Sequence, residues 1–209
     1  MFSVKELKCF INNKIIFSTL SFNLFSGDIL QVVGINGSGK TTLLKIIAGL
    51  FKSDYGDIKW NNISINLSFN KYLEDIIFIG HKKSLHMLLT PLENITYQMS
   101  LSKFNPLMHI ETAFSIMKIS NCINNKCIEL SEGQCQKIVL SRLLLQKSKI
   151  WILDEPFSYL DFYGINLLNK IISNFLYSGG IVIISDHNNH IRRFNDCKIL
   201  NLNNYKKKL

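Results

Sequence analysis

Apolar residues recur along this chain with two different periods, and the change from one to the other predicts strands and helices in turn. The predicted strands are those around Phe2 and Val4, then Lys14 to Leu24, Ile29 to Val33, Ile76 to Ile79, Ile150 to Leu153 and Ile181 to Ile184. Helical spacing covers Thr41 to Leu50, Ser131 to about Gln146 and about Tyr163 to Tyr177. This alternation predicts an α/β fold with a largely parallel sheet flanked by helices.

The middle of the chain departs from the alternation. Thr90-Pro91-Leu92-Glu93 has the form of a capping box with proline at the first helical position. It predicts a largely helical region that runs to about Asn121. A chain of 209 residues can bury roughly 70% of its unfolded surface. We therefore expect one domain over residues 1–209, in which about 89–123 form a helical insertion and 1–88 and 124–209 form the core and β parts.

A phosphate loop follows the predicted strand Ile29 to Val33. Eight residues fit GxxxxGK[ST] at every fixed position, and all are expected to cradle a nucleotide: Gly34, Ile35, Asn36, Gly37, Ser38, Gly39, Lys40 and Thr41. The glycines let backbone amides wrap the phosphates, and the next helix offers about half a positive charge there. Lys40 is expected to reach the β- and γ-phosphates, Thr41 to bind Mg²⁺ and Thr42 to contact the α-phosphate. A plain glycine-rich turn would need neither the strand nor the helix.

Two acids end the predicted strand Ile150 to Leu153. The buried apolar residues place Asp154 and Glu155 at the carboxyl edge of the sheet, beside the phosphate loop. Asp154 is expected to hold Mg²⁺, directly or through water, and Glu155 to polarise the attacking water as general base. The alternative is a plain Asp-Glu-Pro turn. The phosphate loop upstream favours the catalytic interpretation.

The segment Leu130-Ser131-Glu132-Gly133-Gln134 predicts a helix start of its own. Ser131 and Gln134 fit an S-x-x-Q capping box, and Gly133 leaves room for a close backbone approach. A helix N-terminus of this kind suits an anion. Taken by itself, the segment would be an ordinary helix cap.

Together these segments resemble the ATP-binding subunits of ABC transporters, and the resemblance spans nearly the whole chain. Leu130 to Gln134, hereafter the signature segment, resembles the family's LSGGQ motif. Ser158-Tyr159-Leu160-Asp161 resembles the D-loop, and His187 resembles the switch histidine that senses the γ-phosphate. The resemblance implies an ABC-type ATPase domain with a mostly parallel core sheet, a small antiparallel β part and a helical subdomain.

The resemblance also implies how ATP is bound. Two ATP molecules lie head to tail in the family, each between one subunit's phosphate loop and the other's signature. The chain is therefore expected to be a homodimer when ATP is bound. Ser131, Gly133 and Gln134 would then complete the partner's nucleotide site. An aromatic residue before the phosphate-loop unit often stacks on adenine in this family, and Phe10 has that position, although it could equally be a core residue.

Two residues depart from the family's pattern. Glu132 replaces a small residue, and its carboxylate would repel ATP unless the side chain points outward, as we expect. His81 stands where most members have a glutamine that binds Mg²⁺ and couples to the membrane subunit. An imidazole can bind a metal but cannot copy an amide, so His81 is a candidate metal ligand or a plain surface histidine.

Gly80-His81 narrows the resemblance to the haem-exporter ATP-binding subunits of the cytochrome c maturation system. Leu20-Ser21-Phe22, Leu89 to Asn94 and Trp151 to Phe157 agree with it. It implies ATP hydrolysis coupled to haem export or to release of haem from its carrier, with integral-membrane permease subunits as partners. The expected location is the cytoplasmic face of a bacterial inner membrane, or the matrix face of a mitochondrial one.

Composition tests the competing functions. The net charge of +9 favours an anionic partner, although an A+T-rich coding sequence also explains a lysine-rich chain. A soluble ABC-type factor acting on nucleic acid usually carries two ATPase domains, and this chain has one phosphate loop and one signature, so we expect no nucleic acid partner. An exporter for another substrate and a non-catalytic ATP-binding scaffold remain open.

Cysteine spacing and hydropathy set two further bounds. The five cysteines form no CxxC pair, which predicts reduced thiols. The chain has no run of about 18 apolar residues, so we expect no membrane span.

Overall fold

The computed structural model describes residues 1–12, 14–101, 106–186, 190–191, 194 and 196–205. Its helices and strands, in chain order, are β1 (Phe2–Ile11), β2 (Lys14–Leu24), β3 (Ile29–Val33), α1 (Lys40–Ile47), β4 (Tyr55–Trp60), β5 (Ile63–Ser64), α2 (Phe69–Glu74), β6 (Ile76–Ile79), α3 (Pro91–Leu101), α4 (Ile110–Ile116), α5 (Glu132–Leu140), α6 (Arg142–Leu145), β7 (Ile150–Asp154), α7 (Phe162–Tyr177), β8 (Ile181–Ser185) and β9 (Lys198–Asn201). Short 3₁₀ turns lie at Ser120–Cys122, Cys127–Glu129 and Leu202–Tyr205.

The chain divides into two compact units. The first contains Met1–Phe78, Ser148–Glu155 and Ile172–Leu209, and the second contains Ile79–Lys147 and Pro156–Ile171. The second unit is larger than the helical insertion expected at about residues 89–123. It is larger because α6 contacts both α4 and α5, so the helices after the signature segment pack with those before it.

A five-stranded sheet in the order β6-β7-β8-β3-β9 forms the centre of the first unit. The pairs β7–β8, β3–β8 and β3–β9 are parallel, which confirms the predicted parallel sheet. Every residue of β7 and β8 is buried, as expected for strands covered on both faces. The carboxyl ends of β3, β7 and β8 lie at one edge, because Val32 pairs with Ser185 and Asp154 also pairs with Ser185.

A second sheet, β2-β1-β4-β5, is antiparallel in every pair. It is the small antiparallel part that the resemblance implied. Strand β1 has register shifts against both neighbours, and Glu6 has a left-handed backbone with φ 49°. Bulges of this kind increase the local twist of a strand. The inner residues of this sheet share one apolar cluster with α1 and the parallel sheet.

The second unit is mainly helical. Its helix α3 begins with the predicted capping box: Glu93 N donates to Thr90 Oγ1 at 3.2 Å, and Thr90 N donates to Glu93 Oε2 at 2.8 Å. The single helix predicted from Ser131 to Gln146 is wrong, because it is divided at Ser141 into α5 and α6. The Ser141 hydroxyl donates to the carbonyl of Ile138 at 2.7 Å, a local bond that competes with regular helix geometry.

Two further expectations concern cysteines and membranes. All five cysteines are free thiols, and four of them, all except Cys197, are buried. Within the described part of the chain, no helix has both the length and the apolar character needed to cross a membrane.

Candidate nucleotide-binding site

The phosphate loop lies between β3 and α1 in the first unit. Lys40 is buried, and its Nζ donates to the backbone carbonyls of Gly34 at 2.9 Å and Ile35 at 3.3 Å. Gly39 has φ 100°, and a Cβ there would lie 2.3 Å from Cγ2 of Ile16. A side chain at position 39 is therefore excluded by both its backbone conformation and the neighbouring strand β2.

The loop carries donors and charge that suit an anion. Burial lowers the pKa of Lys40, and the carboxylates of Glu155 and Asp154 act in the opposite direction. The Ser38 hydroxyl is fully buried, and no described residue pairs with its oxygen. Such an unsatisfied buried group costs about 1–3 kcal/mol, which an accepting phosphate oxygen would offset. The residues present therefore fit a bound nucleotide phosphate.

Thr41 and Asp154 come together at the carboxyl edge of the parallel sheet. Thr41 Oγ1 donates to Asp154 Oδ2 at 2.8 Å, and Asp154 is only 2% exposed. A hydroxyl and a carboxylate are hard oxygen donors of the kind that Mg²⁺ prefers, so this pair fits that ion. Among the described residues, no cluster of three His, Cys, Asp or Glu side chains could hold a metal by itself. Oxygens of a nucleotide and of water would supply further ligands.

Glu155 follows Asp154 with an unusual backbone. Its φ is 53°, in the left-handed region that residues other than glycine seldom adopt. Its amide donates to the Ser185 carbonyl at 3.2 Å and to the Ser185 hydroxyl at 3.0 Å. Backbone strain of this type persists where surrounding contacts hold it, and it concentrates at functional sites.

Ser185 is a site residue that the sequence analysis missed. Besides accepting from Glu155, its fully buried hydroxyl donates to Asp154 Oδ1 at 2.7 Å. It therefore fixes both acids. The available signal was its position, since it ends the apolar run Ile181 to Ile184, and polar residues at the carboxyl ends of parallel strands cluster at one edge.

The signature segment lies at the start of α5 in the second unit. Ser131 N donates to Gln134 Oε1 at 2.8 Å, and Gln134 N donates to Ser131 Oγ at 3.2 Å, so the predicted capping box is confirmed. A Cβ on Gly133 would lie 2.8 Å from the backbone oxygen of Tyr159. Gly133 therefore permits the close backbone approach that its position predicted.

Glu132 has a partner in the same unit. Its carboxylate forms an ion pair with Lys83, whose Nζ also donates to the Glu132 backbone carbonyl at 2.8 Å. The Glu132 side chain is 68% exposed, but its charge is compensated. Sequence reasoning missed Lys83, because 49 residues separate it from Glu132.

Three predicted residues have roles that stay predictions. His81 is an exposed residue of the second unit, whereas Thr41 and Asp154 belong to the first, so its role as a metal ligand stays a prediction. His187 lies outside the described residues. Phe10, on β1, is 37% exposed, and its strand partner Ile15 precedes the Ile16 that contacts Gly39. Stacking of Phe10 on adenine also stays a prediction.

A separate cavity of about 570 Å³ lies in the first unit beyond the C-terminal end of α1. Ile46, Phe51 and Phe69 are among its lining residues. It contains none of the predicted nucleotide-binding residues.

Comparisons with known proteins agree with this geometry. Residues 17–158 match the family model described as ABC transporter. The chain is 33% identical over 202 residues to the cytochrome c biogenesis ATP-binding export protein CcmA of Aliivibrio fischeri, covering 97% of this chain and 99% of that protein. It is 35% identical over 190 residues to CcmA of Vibrio cholerae, covering 90% and 91%.

Solved structures give the same result. An ABC transporter ATP-binding protein from Pyrococcus furiosus superimposes with a TM-score of 0.82 at 25% identity, covering 99% of each chain. The ATP-binding cassette MJ0796, solved as a dimer in a post-hydrolysis state with ADP and Pi, gives a TM-score of 0.79 at 25% identity and covers 96% of this chain and 94% of that one. The chain belongs to the ABC transporter family, as one of its ATP-binding subunits.

Proposed function

We propose that this chain is the ATP-hydrolysing subunit of an ABC export complex for c-type cytochrome biogenesis. Hydrolysis would drive haem export or the release of haem from its carrier. The observation that supports ATP chemistry most directly is the Thr41–Asp154 hydrogen bond, beside a loop with a buried lysine and a buried serine hydroxyl that pairs with no described residue. The process is supported by relatives named for cytochrome c biogenesis that match nearly the full length of the chain.

The roles of the first-unit residues follow from their chemistry. The amides of residues 34–41, Lys40 and the Ser38 hydroxyl bind phosphate oxygens, and Thr42 adds a hydroxyl at the helix start. Thr41 and Asp154 would hold Mg²⁺, which when bound would neutralise charge on the phosphates. Ser185 keeps Asp154 Oδ1 engaged, so the carboxylate is held in a fixed orientation. Glu155 accepts a proton from the attacking water.

The second unit would act on the nucleotide of another copy. Ser131, Gly133 and Gln134 form a helix N-terminus, an arrangement suited to anions. Because the capping box uses the amides of Ser131 and Gln134, the amides of Glu132 and Gly133 would bind the γ-phosphate. A homodimer formed around ATP is therefore part of the proposal, and His187 would sense the γ-phosphate in its own subunit. A dimeric relative with ADP and Pi is a supporting precedent.

Integral-membrane permease subunits of the cytochrome c maturation system are the proposed partners. The chain would be peripheral, on the cytoplasmic face of a bacterial inner membrane or the matrix face of a mitochondrial one. His81 and the segment 85–94 would pass the opening and closing of the dimer to the permease. The Asn94 side chain fixes this segment, because it bonds to His86, Leu89 and Thr90 backbone groups.

Co-purification tests the proposal. The tagged full chain is isolated with its membrane complex in mild detergent, the partners are identified, and ATP hydrolysis is measured with washed membranes and with nucleic acid. Multi-span partners of cytochrome c assembly and stimulation by membranes are expected. A permease complex for another cargo would refute the proposed process while leaving the ATPase assignment intact. Stimulation by nucleic acid alone would refute both.

A further inference from the structure

Lys83 connects three segments of the second unit. Its Nζ forms the ion pair with the Glu132 carboxylate, donates to the Glu132 backbone carbonyl, and lies 4.5 Å from the centre of the Tyr159 ring. The Lys83 side chain is only 15% exposed. A lysine held by a carboxylate, a carbonyl and an aromatic face has one defined position rather than a solvated, mobile one.

The charge of Glu132 makes this contact important. Glu132 is the first residue of α5, at the helix N-terminus where the γ-phosphate of the partner's ATP is proposed to bind. An acid in a first helical turn stabilises the helix. The same carboxylate would repel a phosphate, because like charges brought together at an interface disfavour binding. The Lys83 cation, paired with Glu132, cancels the negative charge at the start of α5.

The Tyr159 contact ties the D-loop-like turn to the same point. Tyr159 has φ 64°, a left-handed conformation that is rare for an aromatic residue. Its carbonyl lies so close to Gly133 that a Cβ there would meet it at 2.8 Å. Lys83 therefore contacts the Tyr159 ring, while the Tyr159 carbonyl packs closely on Gly133 of the signature segment.

We propose that Lys83 is a positioning residue for ATP binding in the dimer: it neutralises Glu132 and fixes the Tyr159 turn, so that the signature segment can accept the partner's γ-phosphate. This inference rests on the proposed ATPase function. It accounts for an acidic residue in a segment that binds an anion. It also assigns a role to the segment after His81 that does not require contact with a metal.

A double-mutant cycle on the full chain tests the inference. Lys83→Met exposes the charge of Glu132, so KM for ATP is expected to rise on the order of tenfold, with a smaller change in kcat. Glu132→Gln alone removes the negative charge and leaves the Lys83 cation without its carboxylate, so KM is expected to fall below the wild-type value. In the double variant KM is expected to return most of the way to the wild-type value, because no uncompensated charge remains. Lys82→Met, an exposed neighbour, is the matched control and should leave KM unchanged.

Ionic strength separates electrostatics from structural damage. Raising salt from about 0.05 M to about 0.5 M shortens the screening length severalfold, so the KM defect of Lys83→Met should shrink. If Lys83→Met lowers the thermal midpoint, the same KM measurements are made on Lys83→Gln, whose side chain stays polar but carries no charge. A Lys83 variant with wild-type KM, or a double variant no better than Lys83→Met, overturns the inference. A wild-type chain that does not hydrolyse ATP with its membrane partner overturns the proposed function, and the inference with it.

Discussion

The hydroxyl of Ser185 donates to Oδ1 of Asp154 at 2.7 Å, while Thr41 donates to the other carboxylate oxygen at 2.8 Å. Both oxygens of a carboxylate that is 2% exposed are therefore engaged by hydroxyl groups. Ser185 also receives the amide of Glu155. One serine at the end of β8 thus fixes the orientation of the proposed metal ligand and the backbone of the proposed general base.

Replacing Ser185 with alanine is expected to lower kcat roughly tenfold, because a buried acceptor left without its donor costs about 1–3 kcal/mol. The Mg²⁺ concentration needed for half-maximal rate should rise as well. Steady-state hydrolysis as a function of Mg²⁺ measures both effects. Ser178→Ala is the matched control, since the Ser178 hydroxyl is exposed and bonds only locally to Phe175. A Ser185→Ala chain with normal kcat but a lower thermal midpoint would reduce Ser185 to a packing role.

Glu155→Gln separates binding from hydrolysis. The amide keeps the size of the side chain but cannot accept a proton, so kcat should fall by about 10²–10⁴. ATP affinity should stay close to that of the wild type, because Lys40, Thr41 and Asp154 are untouched. Binding of a fluorescent nucleotide and release of phosphate measure the two quantities. Undiminished hydrolysis in this variant would refute the general-base assignment.

Gly133→Ala tests the close approach at the signature segment. A methyl group would lie 2.8 Å from the Tyr159 carbonyl, so the turn must move away from α5. We expect nucleotide binding to the phosphate loop of a single chain to persist, while dimerisation and hydrolysis fall at least about tenfold. Size-exclusion chromatography of Glu155→Gln with and without Gly133→Ala, in ATP, reports the dimer. Equal dimerisation of the two chains would contradict the prediction.

Continuous apolar runs allowed part of the fold to be predicted from the sequence. Strands β3 and β6 begin and end where the sequence predicted, because they are short apolar runs bounded by turn-forming residues. Strand β9 was not predicted, since it mixes exposed Lys198 and Ile199 with one buried residue, Leu200. An edge strand completed by its neighbour β3 leaves little signal in its own sequence.

Site residues could be predicted from the sequence only where they lie close together in the chain. The phosphate loop, the two acids at the end of β7 and the capping box at Ser131 are local sequence patterns. Such patterns can be recognised without knowledge of the fold. Ser185 acts through the register of two parallel strands, and Lys83 acts through a contact across 49 residues. Neither relationship has a fixed sequence spacing. The position of Ser185 after an apolar run could place it at the edge of the sheet, but its bonds to Asp154 and Glu155 depend on the strand register.

Asn94 is expected to hold the segment proposed to contact the permease. Its buried side chain accepts from the His86 amide at 2.7 Å and donates to the His86 carbonyl at 3.0 Å. Asn94→Ala should therefore release the His86 amide and speed hydrogen exchange in residues 85–90 by about tenfold or more. Exchange measured by mass spectrometry on peptides covering this segment checks the result. Asn125→Ala, an exposed asparagine with one weak contact to Glu129, should leave that exchange unchanged.

The Cys127 thiol should be protected from alkylation at neutral pH. Burial raises its pKa to about 11, mainly because the apolar surroundings disfavour the thiolate, and this outweighs the Asn94 amide that donates to Sγ at 3.3 Å. At pH 8 only about a thousandth of the thiol is ionised, and only the thiolate reacts. The labelling rate should therefore rise about tenfold with each pH unit up to about 11, which iodoacetamide labelling and peptide mass spectrometry measure. The guanidinium-unfolded chain is the control, and a native rate that levels off below pH 9 would show that Cys127 is ionised far more easily than its burial implies.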